Sequence, residues 1–194
     1  IYSNGDDAVG EMYADSTFTG NTVTINGGTS IGGSSGQDLN SVKLTVASAS
    51  RHDGTAESGA LLKPTSGSGH NVGIIAVARD DFTIEWLDIS MDSLDSTNTN
   101  RAIFLNSGVG NCTIRNMLLH DKGGNPGSSG PAVIVSAQAA GTSDNWYFLN
   151  NIIYSIIETN NDSSAGIMCR PFQGNLYIYN NTIYLLQANG GSKD

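Results

Sequence analysis

Apolar residues of this chain recur in short alternating runs, not in helical stripes. Four eight-residue segments share one form: 82–89, 112–119, 146–153 and 176–183. Each has an apolar residue at its third position (Ile84, Ile114, Phe148, Ile178) and another at its eighth (Ile89, Leu119, Ile153, Ile183). Both sets advance in steps of 30, 34 and 30. Alternation of this kind predicts strands. A shorter apolar run precedes each: Ile74–Val77, Ile103–Leu105, Val133–Val135 and Ile167–Cys169. From 84 to 103, 114 to 133 and 148 to 167 the offset is 19, which assigns the four extra residues of the third repeat to the loop Gln138–Asp144. Constant strand spacing with variable loops predicts a solenoid, because loops project outward and tolerate insertion.

A single coil would expose its apolar ladder and its unpaired backbone. A second coil about 4.8 Å away pairs the backbone and aligns like side chains. Ile84, Ile114, Phe148 and Ile178 then form an internal apolar stack. Trp86, Asn116, Asn150 and Asn180 form a second column. Its asparagines are expected to bond to one another and to turn backbone as an internal ladder, and, compatibly, to fill left-handed turn positions. In the repeat frame Glu85, Arg115, Leu149 and Tyr179 share one column, and Ser90, His120, Tyr154 and Tyr184 another.

Repeats such as Ile178-Tyr-Asn-Asn-Thr-Ile183 and Phe148-Leu-Asn-Asn-Ile-Ile153 resemble the right-handed parallel β-helix superfamily, the pectin-lyase-like fold. The resemblance covers Asn71–Leu186. It implies an all-β, single-stranded right-handed solenoid of five or six coils. The chain divides into an N-terminal cap with irregular first coils (1–70) and regular coils (71–194) in one continuous domain. Val23–Ile25, Val42–Val46 and Ala60–Leu62 supply the irregular coils, with Leu44 lying 30 residues before Ile74. Asp6–Ala14 is expected to be a short capping helix, with Val9, Met12 and Tyr13 on one face. A further short strand would fall near residue 197, past Asp194, so either the sequence is cut within a coil or the last coil is left open, an edge that templates another chain.

Composition narrows the function. Gly, Ser, Asn and Thr make up 82 of 194 residues, charged residues are 14%, and the net charge is −9. No basic stripe is present, which argues against nucleic acid. No apolar run approaches the roughly 20 residues of a membrane span. The polar, lysine-poor surface suits an extracellular protein or one on a virion or cell surface. Cys112 and Cys169 lack metal-binding spacing and are expected to be buried apolar groups. Of three sequons, at Asn111, Asn161 and Asn180, only the loop residue Asn161 is a glycosylation candidate, because Asn180 is assigned to the inaccessible ladder.

The superfamily includes polysaccharide lyases and glycoside hydrolases, so catalytic sets were sought. The resemblance implies Asp carboxylates, Ca²⁺ and a Lys or Arg base on one sheet face. The candidates are Asp80, Asp81, Arg101, Arg115 and His120. None matches a pectate-lyase arginine pattern or the polygalacturonase set, and Arg115 beside Glu85 reads equally as an exposed ion pair. Asp80 or Asp81 with Asp88 is the only carboxylate pair to consider for glycoside hydrolysis. No cofactor or metal site is assigned; Ca²⁺ at Asp92 with Asp95, or at Asn160 and Asn161 with Asp162, is a weak alternative. Tyr147, Tyr154, Tyr179 and Tyr184 are expected outside, facing a glycan or a partner. The reading is a non-catalytic surface protein that associates with copies of itself, as a trimer or by axial stacking. The alternative is a lyase or hydrolase acting on an acidic polysaccharide.

Overall fold

A computed structural model describes residues 5–19, 23–26, 39–64, 73–92, 101–105, 110–122, 132–136, 144–158, 165–169 and 174–188, to which the following refers. The chain begins with an irregular layer of β1 (Asp7–Met12), β2 (Val23–Asn26), β3 (Ser41–Val46) and β4 (Leu61–Leu62). Four regular three-stranded turns follow: β5 (Ile75–Ala78), β6 (Phe82–Glu85) and β7 (Asp88–Ser90); then β8 (Ile103–Leu105), β9 (Cys112–Arg115) and β10 (Leu118–Lys122). The third is β11 (Ala132–Ser136), β12 (Asn145–Leu149) and β13 (Ile152–Glu158), and the fourth β14 (Ala165–Met168), β15 (Asn175–Tyr179) and β16 (Thr182–Ala188).

These strands stack into three parallel sheets: sheet A in the order β1-β3-β6-β9-β12-β15, sheet B β16-β13-β10-β7-β4 and sheet C β14-β11-β8-β5-β2. The chain is therefore an all-β parallel solenoid of about four turns. The register aligns Ile84, Ile114, Phe148 and Ile178, and likewise Ile89, Leu119, Ile153 and Ile183. Ile84, Ile114, Phe148, Ile89, Leu119 and Ile153 are fully buried, the interior that alternation dictates.

Several expectations change. Each eight-residue segment is two strands in different sheets, not one. The chain turns from sheet A to sheet B at Trp86, Asn116, Asn150 and Asn180, all left-handed with φ between 53° and 67°. The backbone takes that conformation readily at Asn. The Asn150 amide donates to Asn116 Oδ1 at 3.3 Å, but Asn150 and Asn180 are exposed, so this column lies on the outside. The internal ladder is one residue later. Asn151, fully buried, donates to Ile114 O (3.1 Å) and Asn181 Oδ1 (2.9 Å) and accepts from Met117 N (3.1 Å); Asn181 donates on to Phe148 O at 2.8 Å.

Asp6–Ala14 forms no helix. Its central residues are β1, which pairs with β3 from Asp7↔Ser41 to Met12↔Val46. Pairing of a strand edge outweighs the weak local helical signal. Leu44 stacks on Ile84, not on Ile74's strand, because residues 47–60 make an excursion that breaks the period. In sheet C, Ile103 faces Ile134 and Ile134 faces Ile167, so the middle offset is one longer than the constant 19. One of the four extra residues of that repeat thus precedes Ile134.

Candidate functional site

Outward side chains of sheet A form three rows. At the strand starts, Asp81, Asn111, Asn145 and Asn175 are linked: Asn111 Nδ2 donates to Asp81 Oδ1 (3.1 Å), Asn111 Oδ1 accepts from Asn145 N (2.9 Å), and Asn145 Oδ1 accepts from Asn175 Nδ2 (3.2 Å). The next row is Thr83, Thr113, Tyr147 and Tyr177, aligned by the register. Tyr147 and Tyr177 stack with centroids 4.6 Å apart and planes 8° from parallel. Where the row changes from tyrosine to threonine, a groove of about 240 Å³ opens, lined by Thr83, Thr113, Tyr147, Asp81, Asn111 and Asn145 among others.

The third row carries charge. Glu85 is only 2% exposed, although it points out of the sheet. Its Oε1 accepts from Lys43 Nζ (2.6 Å) and Thr45 Oγ1 (2.9 Å), and its Oε2 from Arg115 Nε and Nη2 (both 2.6 Å). Burial alone would raise the Glu85 pKa; the bonds from Lys43, Arg115 and Thr45 outweigh it and hold the carboxyl below its usual range. The Glu85–Arg115 pair is therefore not the exposed pair expected. A buried carboxylate has taken both cations of this face as its own partners.

Sheet B differs because residues 47–60 fold across it. Glu57 N donates to Asp88 Oδ2 at 2.6 Å, and His52 Nε2 to Asn116 O at 2.8 Å. Arg51 and His52 lie against Trp86 at 4.8 Å and 5.9 Å between centres. Beneath this cover Asp88, Ser90 and His120 are fully buried. His120 meets carboxylates at both ring nitrogens: Nε2 lies 2.7 Å from Asp88 Oδ1 and Nδ1 2.6 Å from Asp121 Oδ2. Burial would depress its pKa, but the bonds to Asp88 and Asp121 prevail and raise it. A histidine donating from both nitrogens is an imidazolium strut with no lone pair left to take a proton. The ring stacks on Tyr154 at 5.2 Å, and Tyr154 on Tyr184 at 5.1 Å.

The candidate acids and bases do not converge. Asp80 and Asp81 stand in the turn before β6: Asp80 Oδ1 accepts from Gly110 N, and Asp81 holds Asn111. A Cβ at Gly110 would lie 2.9 Å from Asp80 Cγ, so a larger residue there would displace the Asp80 side chain. Arg101 precedes β8 with its guanidinium 4.8 Å from the Phe104 ring centre. Arg115 is on sheet A and His120 on sheet B. Asp88, buried against His120 and Glu57, does not pair with Asp80 or Asp81 across an open cleft. Tyr179 is 57% and Tyr184 45% exposed, while Tyr147 and Tyr154 are half-buried. Asn180 is exposed, contrary to its expected burial; Asn161 lies outside the described residues.

Cys112 is buried and Cys169 half-buried, and both are free thiols. Desolvation pushes both upward, Cys169 to about 11, so neither is a thiolate at neutral pH. Among the described residues no three His, Cys, Asp or Glu are grouped to hold a metal ion. Asp92 is engaged by Lys63 at 2.8 Å; Asp95 and residues 160–162 lie outside the described residues. No helix among the described residues is long and apolar enough to cross a membrane. Sequence reasoning missed Lys43, Thr45, His52 and Glu57, which reach the sites from the aperiodic N-terminal part. In comparisons with known proteins, no family model, no curated protein and no solved structure matches this chain.

Proposed function

We propose that the chain is a non-catalytic, right-handed β-helix of pectin-lyase-like architecture, with five or six coils. It serves as an extracellular or particle-surface structural unit that stacks axially with copies of itself. The observation that carries this reading is the commitment of Glu85 to Lys43 and Arg115, and of His120 to Asp88 and Asp121, in place of an open acid–base pair. Ile178 and Ile183 continue columns whose earlier members are fully buried, yet they are 48% and 41% exposed. β14, β15 and β16 are the outermost strands of their sheets. Among the described residues these strands form one end of the solenoid, a surface that parallel strands of a second copy would extend. At the opposite end β1 is the outer strand of sheet A, and Val9 is 52% exposed.

Light scattering after size exclusion tests the assembly. The expected mass is a multiple of 20.3 kDa, falling to one chain when Ile178 and Ile183 are both changed to Lys. A wild-type monomer at every concentration refutes stacking, and a trimer unaffected by these changes points to lateral association instead. Depolymerisation of polygalacturonate by the wild type, lost in Arg115→Ala, would make it the acidic-glycan enzyme.

A further inference from the structure

We infer that the groove on the outer face of sheet A is a binding site for one ring of a neutral glycan, stacked on the free face of Tyr147. Tyr147 and Tyr177 occupy facing positions on adjacent strands and lie nearly parallel at 4.6 Å. Their ring normals therefore run along the direction in which strands stack. One face of Tyr147 is covered by Tyr177. The other looks toward Thr113, its partner on β9.

Thr113, followed by Thr83, leaves unfilled the volume that a third and fourth tyrosine would take. The groove of about 240 Å³ is that missing volume. It has one aromatic wall, a threonine floor, and a polar flank of Asp81, Asn111 and Asn145. It falls a little below the roughly 300 Å³ at which sites for drug-sized ligands begin, which suits one ring of a longer chain.

The chemistry of the walls selects the ligand. A sugar ring presents C–H groups on its faces and hydroxyls around its rim. The C–H face packs on an aromatic ring, and the rim needs donors and acceptors in its plane. The Thr83, Thr113 and Tyr147 hydroxyls make no hydrogen bond with the described residues and are open to a ligand. The Asp81 carboxylate, one of whose oxygens Asn111 already holds, supplies a fixed acceptor.

The charge balance selects a neutral sugar over an acidic one. Both cations of this face, Lys43 and Arg115, are bound to the buried Glu85. Asp81 stands in the groove, and the chain carries a net charge of −9. An incoming carboxylate would meet the Asp81 carboxylate, while the nearby Arg79 guanidinium is turned to the Asp80 and Leu39 carbonyls. The site does not depend on axial stacking, so the two proposals fail separately.

The test is titration of the ¹⁵N-labelled full chain with cellohexaose, maltohexaose and chitohexaose, with a galacturonate hexamer as the acidic comparison. A neutral hexasaccharide is expected to shift the amides of Thr83, Asn111 and Thr113 at ligand concentrations up to about 10 mM. Tyr147→Ala weakens that binding about tenfold or more, and Tyr147→Phe retains it. Thr113→Tyr extends the tyrosine stack, fills the groove and abolishes binding. It keeps a folded spectrum, which covers the case that Tyr147→Ala misfolds. The proposal is overturned if no neutral probe shifts these amides, if the shifts survive Thr113→Tyr, or if the galacturonate hexamer binds in preference.

Discussion

The Thr83, Thr113 and Tyr147 row of sheet A and the Asp88 to His120 patch of sheet B share one stacked geometry and end in opposite states. On sheet B the outward Asp88, Ser90, Leu118 and His120 are fully buried, because residues 47–60 cross them. On sheet A Thr83, Thr113 and Tyr147 stay half-buried and line an open groove. The repeat decides which residues point outward, but an aperiodic segment decides what outward means. Under the cover the Ser90 hydroxyl is left without a partner, while His120 becomes a strut between two carboxylates. In the open, the same kind of position keeps hydroxyls available for a ligand.

The sharpest way to break this contrast is at His120. His120→Ala leaves Asp88 buried with the Glu57 amide as its remaining partner. Stranding a buried charge costs about 3–5 kcal/mol. Urea unfolding followed by circular dichroism should show a loss of that size. Changing Asp88 and His120 together to Leu removes both charges and should recover most of it, since a buried pair contributes little against apolar residues of similar volume. A loss below about 1 kcal/mol in His120→Ala would mean that water reaches Asp88 and that the cover is not closed.

The two sheets also respond to pH in opposite directions. The His120 pKa is raised in the folded state, so its contribution is complete below the ordinary value of 6.5 and fades as pH rises through the raised one. The Glu85 pKa is lowered, so its contribution is present above the ordinary 4.5 and fades as pH falls through the folded value. Thermal melts between about pH 3 and pH 10 should therefore show an alkaline limb from sheet B and an acid limb from sheet A. The double Leu variant at Asp88 and His120 flattens the alkaline limb and spares the acid one. If both limbs persist unchanged in it, His120 is not the group responsible.

Much of the solenoid was legible because its columns obey a period. The steps of 30, 34 and 30 located the apolar interior and the Glu85/Arg115 and His120/Tyr154/Tyr184 columns directly. What lay outside the period was not legible. The burial of Glu85 depends on Lys43 and Thr45, and that of Asp88 and His120 on residues 47–60, none of which repeats. The β1 strand was hidden because Val9, Met12 and Tyr13 also fit a helical face, and only pairing with β3 decides between them. The left-handed turn was signalled by Asn116, Asn150 and Asn180 but masked at Trp86. There His52 and the Arg51 guanidinium cover a bulky ring whose backbone φ is 67°. The inner ladder was missed because its column reads Leu87, Met117, Asn151, Asn181, only half of which is asparagine.

Adjacent asparagines give the finest test of how inside and outside differ. Asn151→Ala strands the Met117 amide in the interior and should cost about 1–3 kcal/mol. Asn150 has only its exposed 3.3 Å bond to Asn116, and what fixes it is the left-handed backbone with φ of 55°. Asn150→Ala should accordingly cost about 1 kcal/mol, the penalty of a Cβ in that conformation. Asn150→Gly should stay within about 0.5 kcal/mol of the wild type, because glycine adopts the turn freely. Equal losses in the Ala and Gly variants would show instead that the outer amide bond holds the turn. The outer column would then be a working ladder, and Asn116, Asn150 and Asn180 would stabilise the stack through their side chains.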